Sequence, residues 1–195
     1  MKGKCEICPR HCQLEEGERG FCNGRENRGG KVVAANYGLV TSLALDPIEK
    51  KPLRRFHPGS HILSIGSFGC NLRCPFCQNG RISMSGGEDL EPGRTTPEQL
   101  VSMALRMRSK GNIGLAYTYN EPLIGYEFVL DCARAVREAG MKNVMVTNGF
   151  ICREPLEQLL SCIDAMNIDV KGFTQRFYDM VGGRLDVVQE TVERA

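Results

Sequence analysis

Ile62-Leu-Ser-Ile65, Gly66-Ser-Phe-Gly69 and Cys70-Asn-Leu-Arg-Cys74-Pro-Phe-Cys77 follow one another without a break. An apolar run of strand type leads through a glycine-bounded loop into three thiols. Gaps of three and two residues let one short loop wrap a single compact metal centre, and thiolates suit iron-sulfur clusters and zinc better than hard cations. Structural zinc takes four protein ligands. This loop offers three, with no further Cys or His close behind it. An iron-sulfur cubane with one iron left open is satisfied by three, so Cys70, Cys74 and Cys77 are read as cluster ligands. A zinc site completed from a distant segment, or a disulfide with one spare thiol, are the alternatives.

Downstream, periodicity and caps alternate between strand and helix. Ser83 to Thr95, rich in Gly, Ser and acidic residues, reads as an exposed loop. Thr96, Pro97 and Gln99 spell a helix start with a capping box, and Leu100, Met103, Ala104 and Met107 repeat at helical spacing until Gly111. A buried strand over Ile113 to Tyr117, a helix from about Leu123 to Ala139 and a strand over Asn143 to Thr147 come next. Pro155 opens a shorter helix, Ala165 to Val170 is a fourth strand, and Thr174 to Met180 and Asp186 to Arg194 read as helices. Strands and helices alternating with short connections predict right-handed crossovers and a parallel sheet with ligands at the carboxyl ends of its strands. Those ends carry the cluster loop, Thr118-Tyr-Asn-Glu-Pro122, Thr147-Asn-Gly149 and Asp169-Val-Lys171.

Upstream, Cys5, Cys8, Cys12 and Cys22 fall within eighteen residues punctuated by Gly17, Gly20 and Gly24. A segment this small lacks a core of its own and needs a metal to hold it; zinc and a second iron-sulfur cluster both fit four thiolates. Val32 to Tyr37 and Leu39 to Leu45 predict a short β-hairpin turning at Gly38, followed by a proline-punctuated connector. The expected organisation is therefore a Cys-rich metal-binding segment over residues 1–30, a hairpin and connector over 31–60, and a sheet domain over 61–195. Cys132, Cys152 and Cys162 match no motif and read as small hydrophobes.

A hydrophobic share of 42% and a charged share of 25% are those of a globular protein. A formal net charge of +2 without a basic block gives no electrostatic footprint for nucleic acid. The first residues lack the apolar core of a signal peptide, and no run is long enough to span a membrane. A cytoplasmic protein is expected, and in a reducing compartment clustered cysteines read as metal ligands.

With Phe76 before the last thiol, the cluster loop resembles that of radical S-adenosylmethionine (SAM) enzymes. Cys8-Pro-Arg-x-Cys12, Gly20-Phe-Cys22, Ser42-Leu-Ala-Leu-Asp-Pro-Ile-Glu-Lys-Lys-Pro52, Gln78-Asn79, Tyr117-Thr-Tyr-Asn-Glu-Pro122 and Asn167-Ile-Asp-Val-Lys-Gly172 are similar to the AmmeMemoRadiSam-system group, itself similar to pyruvate formate-lyase (glycyl-radical enzyme) activating enzymes. The resemblance implies an α/β fold of partial (β/α) barrel type. It implies a [4Fe-4S] cluster on Cys70, Cys74 and Cys77, and SAM held by Phe76, Asn120, Glu121, Thr147, Asn148, Asp169 and Lys171. Tyr119 and Asn120 stand where many members carry two glycines, and Val146 where the activases carry an acidic ribose contact. A flavodoxin or ferredoxin is the implied reductant; the substrate, protein or small molecule, is left open. Only four parallel strands are counted where the family fold has two more. A barrel truncated in this way predicts an unpaired edge and exposed apolar surface along the last strand. A zinc-binding interaction module and an inactive, cluster-binding remnant are the rival readings.

Overall fold

The computed structural model describes all 195 residues. The amino-terminal knot is tied by a two-rung antiparallel pair, β1 (Gly3–Lys4) with β2 (Gln13–Leu14). An antiparallel hairpin of β3 (Arg25–Arg28) and β4 (Lys31–Ala34) follows, turning at Gly29 and Gly30. Then come β5 (Leu39–Val40), β6 (Ser42–Pro47), β7 (His61–Gly66), the short helix α1 (Gly80–Ser83) and β8 (Gly93–Arg94). The remaining elements are α2 (Pro97–Arg106), β9 (Asn112–Tyr117), α3 (Tyr126–Glu138), β10 (Lys142–Thr147), α4 (Arg153–Leu160), β11 (Ala165–Ile168), α5 (Gln175–Val181) and α6 (Leu185–Arg194).

The central sheet runs β11-β10-β9-β7-β6. Its four strands β7, β9, β10 and β11 are mutually parallel, and β6 closes one edge antiparallel to β7 over six rungs. Alternation sorts its side chains. Leu63, Ile65, Leu115, Tyr117 and Met145 face α2, α3 and α4 in a core of 19 buried residues. Ile62, Ala116 and Val144 face the other way, onto Ile48 from the connector. A third cluster, Leu72, Phe150, Tyr178, Val181 and Val188, packs α5 and α6 against the cluster loop.

Local signals predicted well where the determinant is local. Thr96 Oγ1 accepts the Gln99 amide and the Gln99 side chain accepts the Thr96 amide, as the capping box requires. Met103 packs on the core and Met107 is half-buried. Pro155 lies within the first turn of α4, which begins at Arg153; proline is tolerated there because that turn's amides have no intrahelical acceptor. The helix expected from Leu123 starts instead as a 3-10 turn over Pro122–Gly125, capped by Glu121, and becomes α3 at Tyr126.

One expectation is corrected. The hairpin turning at Gly38 does not form: β4 pairs with β3, β5 with β8 from the supposed loop, and β6 with β7. Gly38 does turn the chain, at φ +70°, but the open edge of β7 offers β6 a six-rung ladder that a hairpin with β4 cannot match. The last strand is the unpaired edge of the sheet, with Ala165, Met166 and Ile168 partly exposed on it. Every residue of β11 is partly buried, and the exposed large apolar side chains of this end are Phe173, Met180 and Val192.

Candidate functional site

β7 ends at Gly66 and hands the chain to a loop held at every step. The Asn120 side chain accepts the Ser67 amide at 2.8 Å and donates to the Phe68 and Gly69 carbonyls, each at 3.1 Å. Asn36 donates to Phe68 from the other side. Gly69 sits at φ +86°, and a Cβ there would stand 2.4 Å from the Cys22 carbonyl oxygen. Only glycine allows this approach. The Cys70 amide then donates to that same carbonyl at 3.2 Å.

The three thiols follow. Cys70 Sγ receives the Leu72 amide at 3.4 Å and lies 3.7 Å from the Asn148 side-chain nitrogen, while Cys77 Sγ lies 3.7 Å from Ser83 Oγ. The Leu72 and Asn148 donors stabilise negative charge on the Cys70 sulfur. Asn148 is itself fixed by Asn71 and by the Phe150 amide, which its oxygen accepts. Burial and, less strongly, the Glu121 carboxylate push the Cys70 thiol up to about 12. Burial also raises Cys74, against the pull of the Lys171 ammonium. Without a metal Cys70 and Cys74 keep their protons at neutral pH, so metal binding there displaces protons.

Glu121 ties two strand ends together. One carboxylate oxygen accepts Thr147 Oγ1 at 2.7 Å and the Leu123 amide at 3.0 Å, and the other accepts the Asn148 amide at 2.8 Å. Burial lifts its pKa to about 6 in spite of these donors. Lys171 pairs with Asp169, and its ammonium is held above its ordinary pKa because Asp169, Cys74 and Glu121 outweigh the cost of burial. Phe76 is exposed, its ring 6.0 Å from that of Phe177.

All ten residues expected at the strand ends line one cavity of about 720 Å³: Cys70, Cys74, Phe76, Cys77, Asn120, Glu121, Thr147, Asn148, Asp169 and Lys171. That size suits a ligand of nucleoside dimensions. Within it, the side chains of Asn120 and Thr147 are engaged by the cluster loop and by Glu121 respectively. A second cavity of about 660 Å³, between β5, β8 and α2, contains none of these groups.

Sequence reasoning missed one wall of the large cavity, formed by Asp46, Lys51 and Tyr119. Asp46 accepts Lys51 Nζ at 2.8 Å and the Tyr119 hydroxyl at 2.6 Å. Burial raises the Asp46 pKa, but these two donors outweigh it and hold the carboxyl well below its usual range. Tyr119 adopts φ +71°, a conformation rare for a bulky residue. Its carbonyl accepts Asn79, two residues past the last cluster cysteine. An Asp-Pro step followed by paired lysines was the available signal, since a carboxylate before a tight turn brings such lysines back to it.

The amino-terminal thiols lie apart from this cavity. Cys5, Cys8, Cys12 and Cys22 line a small pocket of their own with Arg10, Arg25 and Ile124. His11 turns to Glu6 and the Cys5 carbonyl, and is not in that lining. As the side chains lie, no three ligating groups are disposed around a single ion. The donor chemistry still fits. A cubane touches each thiolate through a different iron, and the cluster loop supplies three sulfurs with amide and hydroxyl groups beside two of them.

Comparison with known proteins agrees with this geometry. The family model of the radical SAM superfamily matches residues 64–195. An uncharacterized protein of Methanocaldococcus jannaschii is 47% identical over 194 residues, covering 100% of this chain and 57% of the relative. The pyruvate formate-lyase-activating enzyme of Clostridium pasteurianum is 28% identical over 120 residues, 60% of this chain and 48% of the enzyme. A probable RNA methyltransferase of Rhodopseudomonas palustris is 29% identical over 181 residues, 88% of this chain and 47% of that protein. The chain thus spans about half the length of the curated relatives it matches.

Proposed function

That the chain belongs to the radical SAM superfamily is the premise from which we propose its function: a radical SAM oxidoreductase, activase-like, acting on a protein or small-molecule substrate. The observation that carries the reading is the convergence of three thiols from one loop with Glu121, Asn148, Asp169 and Lys171 on a single cavity. When bound, a [4Fe-4S] cluster and SAM supply an electron, reductive cleavage of the sulfonium and a 5′-deoxyadenosyl radical that takes hydrogen from the substrate.

The chain's own residues bind, orient and shield. Cys70, Cys74 and Cys77 would hold three irons and leave one open. Glu121 keeps lone pairs beyond those spent on Thr147, Leu123 and Asn148, and a carboxylate so held would accept the amino group of SAM. Lys171, half-buried and paired with Asp169, would meet its carboxylate. Asn148 would act on the cluster through Cys70. Phe76 at the rim would cover the site from water.

A flavodoxin or ferredoxin is the proposed reductant and the cytoplasm the proposed compartment; no helix is long and apolar enough to cross a membrane. The net charge of +2 favours a substrate other than nucleic acid. In the proposed organisation, residues 1–30 form a metal-binding segment and residues 61–195 contribute four parallel strands of a partial barrel. Anaerobic reconstitution with iron and sulfide, then incubation with SAM and dithionite, tests the function by chromatography. Methionine and 5′-deoxyadenosine are expected from the wild type and neither from Cys74→Ala. Equal amounts from both would overturn the assignment.

A further inference from the structure

The buried side chain of Arg25 is a charged group that the proposed chemistry leaves without a task. It is 4% exposed. One terminal nitrogen donates to Glu127 at 2.6 Å and to the Ile124 carbonyl at 3.3 Å; the other donates to Glu127 at 2.8 Å and to the Val32 carbonyl at 3.0 Å. Its Nε is buried and has no partner. An orphaned donor on a buried charge is rare and costly. The side chain borders the pocket lined by Cys5, Cys8, Cys12 and Cys22, and Cys5 is the sulfur that acts on its guanidinium. A thiol accepts weakly, whereas a metal-bound thiolate carries negative charge and accepts well.

We propose that Cys5, Cys8, Cys12 and Cys22 form a second thiolate metal centre, that Arg25 Nε is the donor balancing its negative charge, and that this centre braces the cluster loop. Charge bookkeeping supports the pairing. Four thiolates around divalent zinc or around an oxidised [4Fe-4S] core leave a net negative centre in either case; zinc entry releases the thiol protons to solvent without electron transfer, and the cluster needs no outside oxidant when two of its four irons enter as ferric ion. The knot needs such a staple: its apolar core is Cys5, Leu14 and Val32.

The brace is direct. The Cys22 carbonyl accepts the Cys70 amide at 3.2 Å, and Arg10, which also lines the pocket, donates through Nε to the Asn71 carbonyl at 3.2 Å. Fixing Cys22 on a metal therefore fixes the acceptor that positions the first cysteine of the other loop. The centre itself stands whether or not the larger cavity takes SAM.

The test uses the full chain with Cys70, Cys74 and Cys77 all replaced by Ala, so that only the amino-terminal thiols bind. Zinc is offered in one arm, ferrous and ferric iron with sulfide under anaerobic conditions in the other, and the arm that loads identifies the metal. One zinc ion or one cluster per chain is expected, with Arg25→Met weakening chelator-competed affinity about 10- to 100-fold, as loss of an outer-shell partner does. Glu127→Gln, which disturbs the same buried pair but leaves Nε in place, is expected to lower Tm while changing affinity less than about threefold. Metal loading is also expected to slow hydrogen exchange of residues 66–72. No metal in either arm overturns the centre. Equal affinity in Arg25→Met and the parent overturns the role of Arg25, as does an affinity loss in Glu127→Gln matching it. Exchange over 66–72 that ignores the metal overturns the brace, and it is read on the parent even if Arg25→Met does not fold.

Discussion

Asp46→Asn is expected to destabilise the metal-free protein by about 3 kcal/mol at neutral pH. Lys51 is 2% exposed and Asp46 Oδ2 is its carboxylate partner at 2.8 Å. Burial lowers the Lys51 pKa even with Asp46 beside it, so the intact pair contributes little for the lysine. Removing the anion is another matter: an ammonium left buried and unpaired costs roughly 3–5 kcal/mol, and the slight exposure of the Asp46 side chain, 11%, argues for the low end. The same change deprives the Tyr119 hydroxyl of its charged acceptor and loosens a residue held at φ +71°. Asp46 is depressed below its ordinary value of 3.8. A depressed acid contributes stability above its unfolded pKa and loses it as pH falls toward its folded pKa. Urea unfolding of wild type and variant is therefore expected to differ fully at pH 7, and progressively less below about pH 4. Pairing Asp46→Leu with Lys51→Met should recover at least half of the loss, because an apolar replacement of the pair leaves no stranded charge. A single-variant loss under about 1 kcal/mol, or a loss that is constant from pH 3 to pH 7, would refute the reasoning.

Glu121, raised to about 6 from 4.5, gives the opposite slope: the folded state holds its proton more tightly, so stability of the metal-free protein should fall by on the order of 2 kcal/mol as pH rises from about 4.5 to about 6, then level off. Glu121→Gln is expected to remove that slope in urea unfolding. Gly69→Ala places a methyl 2.4 Å from the Cys22 oxygen and 2.7 Å from Ile124 Cδ1 at φ +86°; a loss of about 3 kcal/mol and reduced iron content after reconstitution are expected by thermal melting and metal analysis. Asn148→Ala removes a donor beside Cys70 Sγ, so the cluster's reduction potential should move more negative in a titration followed by electron paramagnetic resonance.

What was legible in the sequence is what short segments decide for themselves. The apolar run into β7 and the capping box at Thr96 each carry their determinants within a few positions, and the structure keeps both. Pairing partners were less accessible. Leu39–Val40 finds Gly93–Arg94 across more than fifty residues, and no local pattern encodes that choice against a hairpin at Gly38. The wall of Asp46, Lys51 and Tyr119 escaped for the same reason, joining a connector to the end of β9. Asn120 illustrates a subtler gap. The resemblance assigned it to the cofactor; it lines the cavity, but its amide is held by Ser67, Phe68 and Gly69, so it shapes the cluster loop from within the cavity wall. Side-chain direction, unlike strand order, had no signature in the residues around it.

The central claim is that Cys70, Cys74 and Cys77 hold an iron-sulfur cluster with an iron open to SAM. Electron paramagnetic resonance of the anaerobically reconstituted, reduced protein, recorded with and without SAM, tests it most directly. The account predicts a [4Fe-4S] signal that SAM perturbs in the wild type, and no SAM-sensitive signal in Cys74→Ala. A wild-type cluster signal indifferent to SAM, or a colourless protein whose metal is zinc alone, would contradict it.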